Sequence, residues 1–211
     1  MNLPFQIKTI DEFNESTLVE KKSTFIARIY SADSEDKAKE HLSEVKKKYY
    51  DASHHCYAYK FSDGNFRSSD AGEPSGSAGV RILNAIEHFN LVNIIVIVTR
   101  YFGGVKLGIG PLGKAYYIAA YQVLNQSSII SKQLFQKTII KTDFENSGTV
   151  QRILAKQKSI ILESNYEEEV KLICLINAKE IEKIIRILSK MSKNKVTFLP
   201  ITEYIYKKKN P

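Results

Sequence analysis

Two short stretches hold most of the residues able to do chemistry. "SSDAGEPSGSAGVRIL" (68–83) and "VTRYFGGVKLGIGPLGKAYY" (98–117) set Asp70, Glu73, Arg81, Arg100, Lys106 and Lys114 among glycines. Nine of the ten glycines fall between Gly64 and Gly113. A glycine loop that runs into a helix presents backbone N–H groups to an anion, and neighbouring lysines add point charge. Phosphate, or a phosphate backbone, is the ligand this combination suits. Arg67, Arg100, Lys106 and Lys114 are the expected phosphate contacts, while Gly103, Gly104, Gly108 and Gly110 allow the backbone to approach closely. Tyr101 and Phe102 offer rings for stacking on an unpaired base, with at least one of the two expected to be buried in packing instead.

Two regular patterns in the second stretch do not carry their usual meaning. Gly108, Gly110 and Gly113 satisfy G-x-G-x-x-G, but "YFGGVKL" separates them from the preceding strand and the first acid afterwards is Asp143. "GIGPLGKA" (108–115) falls one residue short of a P-loop, with Ala115 where a hydroxyl should ligate Mg²⁺. A second chemistry is proton transfer. His54 or His55 with Asp70 or Glu73 would serve an enzyme acting on a small phosphorylated or nucleotide substrate. As metal ligands these residues are poorly arranged, because on a strand His54 and Cys56 share one face and His55 takes the other. Neither a metal nor a cofactor is expected. Arg67, Asp70, Glu73, Arg81 and Arg100 are also expected to pair with one another and tie the loops together.

The elements that must position these residues follow from periodicity. Alternation over 16–31 predicts one or two strands, and "SEDKAKEHLSEVKKKYY" (34–50) an amphipathic helix capped by Ser34. "HHCYAYKF" (54–61) reads as a strand, "AGVRILNAIEHFN" (78–90) as a helix, and the β-branched run 92–99 as a strand buried on both faces. "PLGKAYYIAAYQVLNQ" (111–126) begins with proline where a first helical turn tolerates it. From Leu134 the order becomes β-α-β-β-α-β, with Asn146 or Ser147 as the cap of the first helix; two helices on one face of an antiparallel sheet is the ferredoxin-like arrangement. The fold class is α+β in two domains, 1–130 and 134–207, with 208–211 a frayed tail.

The 211 residues carry a formal charge of +8. Residues 1–136 hold 16 Lys and Arg against 14 Asp and Glu, whereas 137–211 hold 15 against 9, so the excess lies in the C-terminal third. A positive field of that kind attracts polyanions such as RNA. The longest apolar run, "IIVIV" (94–98), is far shorter than the roughly 20 residues of a membrane helix. No secretory signal is evident, and Cys56 and Cys174 match no paired spacing, so the expected location is the cytosol.

"KKSTFIA" (21–27), "HHCYAY" (54–59) and the two glycine stretches together resemble the YigZ/IMPACT family over roughly residues 15–128. The resemblance implies a first domain with the ribosomal-protein second-domain-like β-α fold, as in elongation factor G domain IV. It also implies a second domain similar to domain V of that factor, and a role in regulating translation through RNA or the ribosome. Its signature residues fall here on His54, His55, Arg67, Asp70, Gly72, Glu73, Pro74, Ser75, Gly76, Arg100, Tyr101, Phe102, Gly103, Gly104, Lys106, Leu107, Gly108 and Gly110. This chain departs from the pattern at Ala71, Ser77, Arg81, Ile109, Pro111 and Lys114, and Arg81 adds a charge. Three functions follow: a translation-linked polyanion binder, an enzyme using a His/carboxylate pair, or a protein-binding regulatory module.

Overall fold

The computed structural model describes residues 3–191 and 195–208. The chain divides into two compact units, one comprising residues 7–131 and the other residues 4–6 together with 132 onward. Five strands of the first unit form an antiparallel sheet: β2 (Asn14–Glu20), β3 (Ser23–Ser31), β4 (His54–Lys60), β5 (Phe66–Ser69) and β6 (Ile94–Tyr101), in the order β2-β3-β6-β4-β5. Helix α1 (Glu35–Lys48) packs on one face against Tyr59, Phe61, Ile95 and Ile97. Helices α2 (Gly79–His88) and α3 (Ile109–Asn125) cover the other face, against Phe25, Ala27, Cys56, Ala58, Val96 and Val98. Strand β6 therefore has helices above and below it, which is why its sequence is a continuous β-branched run without alternation.

Caps and turns set the ends of these elements. Ser34 accepts from the Lys37 backbone N–H and caps α1, as its position ahead of two acids predicts. Helix α3 starts two residues before Pro111, at Ile109, so the proline stands third in the helix and still within the turn whose N–H groups go unused. Strands β2 and β3 are joined by Lys21 and Lys22, both left-handed, with φ of 44° and 68°. A two-residue hairpin turn of this kind matches the strand twist but favours Asn-Gly; each lysine there costs about 1–2 kcal/mol.

The short strands β1 (Gln6–Ile10) and β5 were not evident from periodicity. One charged residue of the sheet is wholly buried: Arg28 is 1% exposed, pairs with Glu15 at 2.7 Å, donates to Thr99 and lies 3.8 Å from the Tyr49 ring centroid.

In the second unit β7 (Ile129–Thr142), α4 (Phe144–Lys156), β8 (Ile160–Tyr166), β9 (Val170–Asn177), α5 (Ile181–Met191) and β10 (Thr197–Lys208) follow in that order. Strand β10 pairs with β7, β7 with β9 and β9 with β8, all antiparallel. Ile140, Leu172, Cys174 and Ile176 meet Val150, Leu154, Ile184 and Leu188 of the helices in a separate core. The cap of α4 is Asp143, which accepts from the Asn146 N–H at 2.8 Å; Asn146 and Ser147, the expected caps, lie inside the helix. Asp143 sits where the chain is still extended, the conformation a cap requires. Of the expected frayed tail, Lys208 closes β10 and residues 209–211 lie outside the described residues. Among the described residues no helix is long and apolar enough to cross a membrane.

Candidate functional site

The first glycine loop is built around Asp70. Its carboxylate accepts from the backbone N–H groups of Gly76, Ala78 and Gly79 at 2.8–2.9 Å, capping α2 from eight residues upstream. Gly79 is required by contact: a Cβ there would lie 2.5 Å from the Ser69 backbone nitrogen, so only glycine lets α2 begin against β5. Burial works against the Asp70 charge, yet the three N–H groups outweigh it and hold the carboxyl below its ordinary pKa. A carboxyl lowered by folding stabilises above its unfolded pKa and loses that contribution as pH falls through the folded one. Asp70→Asn is expected to cost about 1–2 kcal/mol at neutral pH, with the gap to wild type closing below pH ~4. Urea titrations of both proteins at several pH values read this; a gap that does not vary with pH would exclude the capping role.

Glu73, from the same loop, turns inward and is 9% exposed. One carboxylate oxygen accepts from Arg100 Nη1 at 2.6 Å and from the Tyr116 hydroxyl at 2.7 Å. Arg100 reaches this point from the end of β6, is 5% exposed, and also donates to Ser23 Oγ. Cys56 Sγ lies 2.9 Å from the Asp70 carbonyl oxygen and 3.3 Å from the Tyr116 hydroxyl. Burial pushes its thiol up to about 12, so it is an inert buried donor, and burial likewise raises the Tyr116 hydroxyl, which stays protonated toward Glu73.

The expected ion-pair network is thus reduced to one buried pair. Arg100, assigned to phosphate at the sequence level, is enclosed by Glu73 and Ser23, because β6 delivers its side chain under the loops. Arg67 instead pairs with Glu35 at 3.2 Å on the surface, and Asp70 takes backbone donors.

The two histidines separate to opposite faces, as strand geometry dictates. His54 Nδ1 donates to the Ala71 carbonyl at 3.0 Å, which leaves Nε2 facing the second Glu73 oxygen at 3.8 Å. His55 contacts Thr99 Oγ1 at 3.2 Å, and burial, with Lys46 nearby, lowers its pKa. Among the described residues no group of three or more His, Cys, Asp or Glu is placed to hold a metal ion. Gly72, Pro74, Ser75 and Gly76 are exposed around this cluster, and the Ser77 hydroxyl closes the turn by donating to the Pro74 carbonyl.

The second glycine loop is clamped at its start. Phe102 N–H donates to Ser53 Oγ and Gly103 N–H to Ser23 Oγ, both at 3.2 Å. Tyr101 is partly buried and its hydroxyl donates to Asp51 at 2.8 Å, whereas Phe102 remains 49% exposed. Gly104, Lys106 and Gly108 are exposed along the loop, and Gly110 is exposed in the first turn of α3.

Where the loop enters α3, a cleft of about 350 Å³ opens between α2 and α3, lined by Arg81, Asn84, Gly110, Gly113, Lys114 and Tyr117. The first turn of α3 carries no acid and no side-chain cap. Arg81, Lys106 and Lys114 form no ion pair with a described acid. Asn84 and Tyr117 were not singled out from sequence, although the signal was present: 110, 113, 114 and 117 are one helical face, and 81 and 84 another.

A five-stranded antiparallel sheet with one helix on one face and two on the other, its glycine loops tied by a buried Glu–Arg pair, makes the first unit an α+β domain. A sequence profile described as "Impact N-terminal domain" matches residues 21–124. The chain is 32% identical over 174 residues to IMPACT family member YvyE of Bacillus subtilis, covering 82% of this chain and 80% of that protein. It is 29% identical to IMPACT family member YigZ of Escherichia coli, over 89% and 95% of the two chains. The chain belongs to the IMPACT family. Protein IMPACT of Rattus norvegicus is 30% identical over 96 residues, which make up 43% of this chain and 30% of that protein. A crystal structure of a hypothetical protein superposes with a TM-score of 0.71 at 26% identity, over 95% of this chain and 100% of that one.

Proposed function

We propose that the protein binds a polyanion, structured RNA or a ribosomal site, through its glycine loops, and acts in the cytosol as a translation-linked accessory or regulatory factor. The observation that carries this reading is the α2–α3 cleft, where Arg81 and Lys114 stand without acidic partners at an uncapped helix start. Lys106 on the exposed loop extends the contact, while Arg100 supports it from below. The order β10-β7-β9-β8 supports reading the second unit as ferredoxin-like and akin to elongation factor G domain V, with the first unit akin to domain IV. Fold kinship alone does not carry function.

Binding to transfer RNA and to ribosomal subunits across a salt series tests the reading. Arg81→Ala/Lys106→Ala/Lys114→Ala is expected to weaken binding and to flatten the slope of log K against log salt by roughly one for each phosphate that is no longer neutralised. Salt-independent binding, or a variant that behaves as wild type, would place the polyanion elsewhere. A second reading, an enzyme on a small phosphorylated substrate, rests on His54 facing Glu73. It requires a turnover that His54→Asn abolishes and that moderate salt leaves intact.

A further inference from the structure

We infer that the nucleic acid taken by the second glycine loop is single-stranded, with an unpaired base stacked on Phe102 and flanking phosphates held by Lys21, Lys22 and Lys106. This rests on the polyanion reading and specifies what the loop end of the sheet recognises.

Three observations converge on it. Phe102 is a half-exposed aromatic ring on a loop whose other residues are glycine, Val105, Lys106 and the buried Leu107, and its position is imposed. Its backbone N–H is held by Ser53 Oγ at 3.2 Å, and the buried Arg100 guanidinium lies 5.5 Å from its ring centroid. Such a ring is a preformed platform, because the stacking surface is ordered before a ligand arrives. The following residue, Gly103, is pressed against the Lys22 carbonyl, so the Lys21–Lys22 turn abuts the backbone one residue beyond Phe102. Both lysines are exposed and occupy the left-handed conformation that lysine tolerates poorly. A strained, exposed, doubly cationic turn beside an aromatic platform is where local stability has been given up at a binding surface.

The chemistry selects the ligand. Base faces are available in unpaired strands and hidden in an A-form duplex, so a stacking platform discriminates between the two. Lys21, Lys22 and Lys106 form no ion pair with a described acid, and they supply the charge that a phosphate backbone neutralises. Val105 on the same loop and Ile109 at the start of α3 are 43% and 67% exposed.

The test compares anisotropy binding of a short labelled oligouridine with that of an RNA duplex of equal length. Phe102→Ala is expected to lower single-strand affinity about tenfold to a hundredfold and to leave duplex affinity and the salt slope unchanged, while Phe102→Trp retains binding. Lys21→Asn/Lys22→Gly is expected to raise Tm and to flatten the single-strand salt slope by about 1.4.

Wild-type protein that binds both RNAs with Phe102→Ala silent, or equally harmful to both, overturns the stacking proposal and leaves the polyanion reading standing. Protein that binds neither RNA overturns the single-strand proposal, and the polyanion reading falls with it only where transfer RNA and ribosomal subunits are also left unbound. Phe102-dependent binding of poly-glutamate in place of RNA would assign the loop to an acidic protein segment and overturn the proposal as well.

Discussion

Arg100→Met is expected to destabilise the protein by about 3–5 kcal/mol, because it strands the Glu73 carboxylate without its ionic partner. The two side chains are 6% and 4% exposed and meet at 2.6 Å, so water can replace little of the missing interaction. Tyr116 would remain as a donor and His54 Nε2 faces the other oxygen at 3.8 Å, but neither a neutral hydrogen bond nor a contact of that length offsets a buried charge. The double variant Arg100→Met/Glu73→Leu is expected to recover most of that stability, since a charge-free site of similar volume carries no desolvation penalty. Urea unfolding of the wild type, both single variants and the double variant yields the coupling energy directly. An Arg100→Met protein within about 1 kcal/mol of wild type would show that the pair is dispensable. The same cycle guards the functional assay: weaker RNA binding in an Arg100 variant reports folding, whereas weaker binding in a Lys106 or Lys114 variant reports direct recognition.

Gly103→Ala should be the most damaging glycine substitution in the second loop. A Cβ at this position would lie 2.0 Å from the Lys22 carbonyl carbon and 2.5 Å from the Ser23 nitrogen. Both neighbours are backbone of the β2–β3 hairpin, so relief requires the loop to leave the hairpin. The hydrogen bonds from Gly103 N–H and Arg100 to Ser23 Oγ would break with it. A destabilisation of about 3 kcal/mol or more is expected, at the upper end of overpacking costs. Gly110→Ala, inside α3 and with open space for its Cβ, serves as the control and should be neutral or stabilising by up to about 1 kcal/mol. If the two substitutions have equal effects on thermal unfolding, the close approach at Gly103 does not hold the loop, and the Phe102 platform loses its anchor.

Much of this was legible along the chain. The burial of β6 on both faces, the Ser34 cap of α1 and the α3 core helix each depend on residues within one or two turns of one another, which periodicity and capping chemistry report. Family membership was legible for a similar reason: the glycine motifs occur in order at readable separations. Asp143 as the cap of α4 was missed because two better-looking caps follow it, and only the backbone conformation distinguishes them. Strands β1 and β5 were missed because four or five residues carry too little alternation to recognise.

The site divides along the same line. Composition and order alone determined that the loops are glycine-rich, cationic and joined to helix starts, and that His54 and His55 point apart on their strand. Which cations remain free was decided by tertiary structure. Arg67 and Arg100 look alike in sequence, but Arg67 lies on a short exposed edge strand beside Glu35, whereas Arg100 ends the central strand beneath both loops. Asp70 and Glu73, three residues apart, take opposite roles because one faces the N–H groups of α2 and the other faces Arg100 and Tyr116. A charged side chain's partner is set by what lies across the fold, at separations of up to 77 residues between Ser23 and Arg100, and no local pattern encodes a distance of that kind.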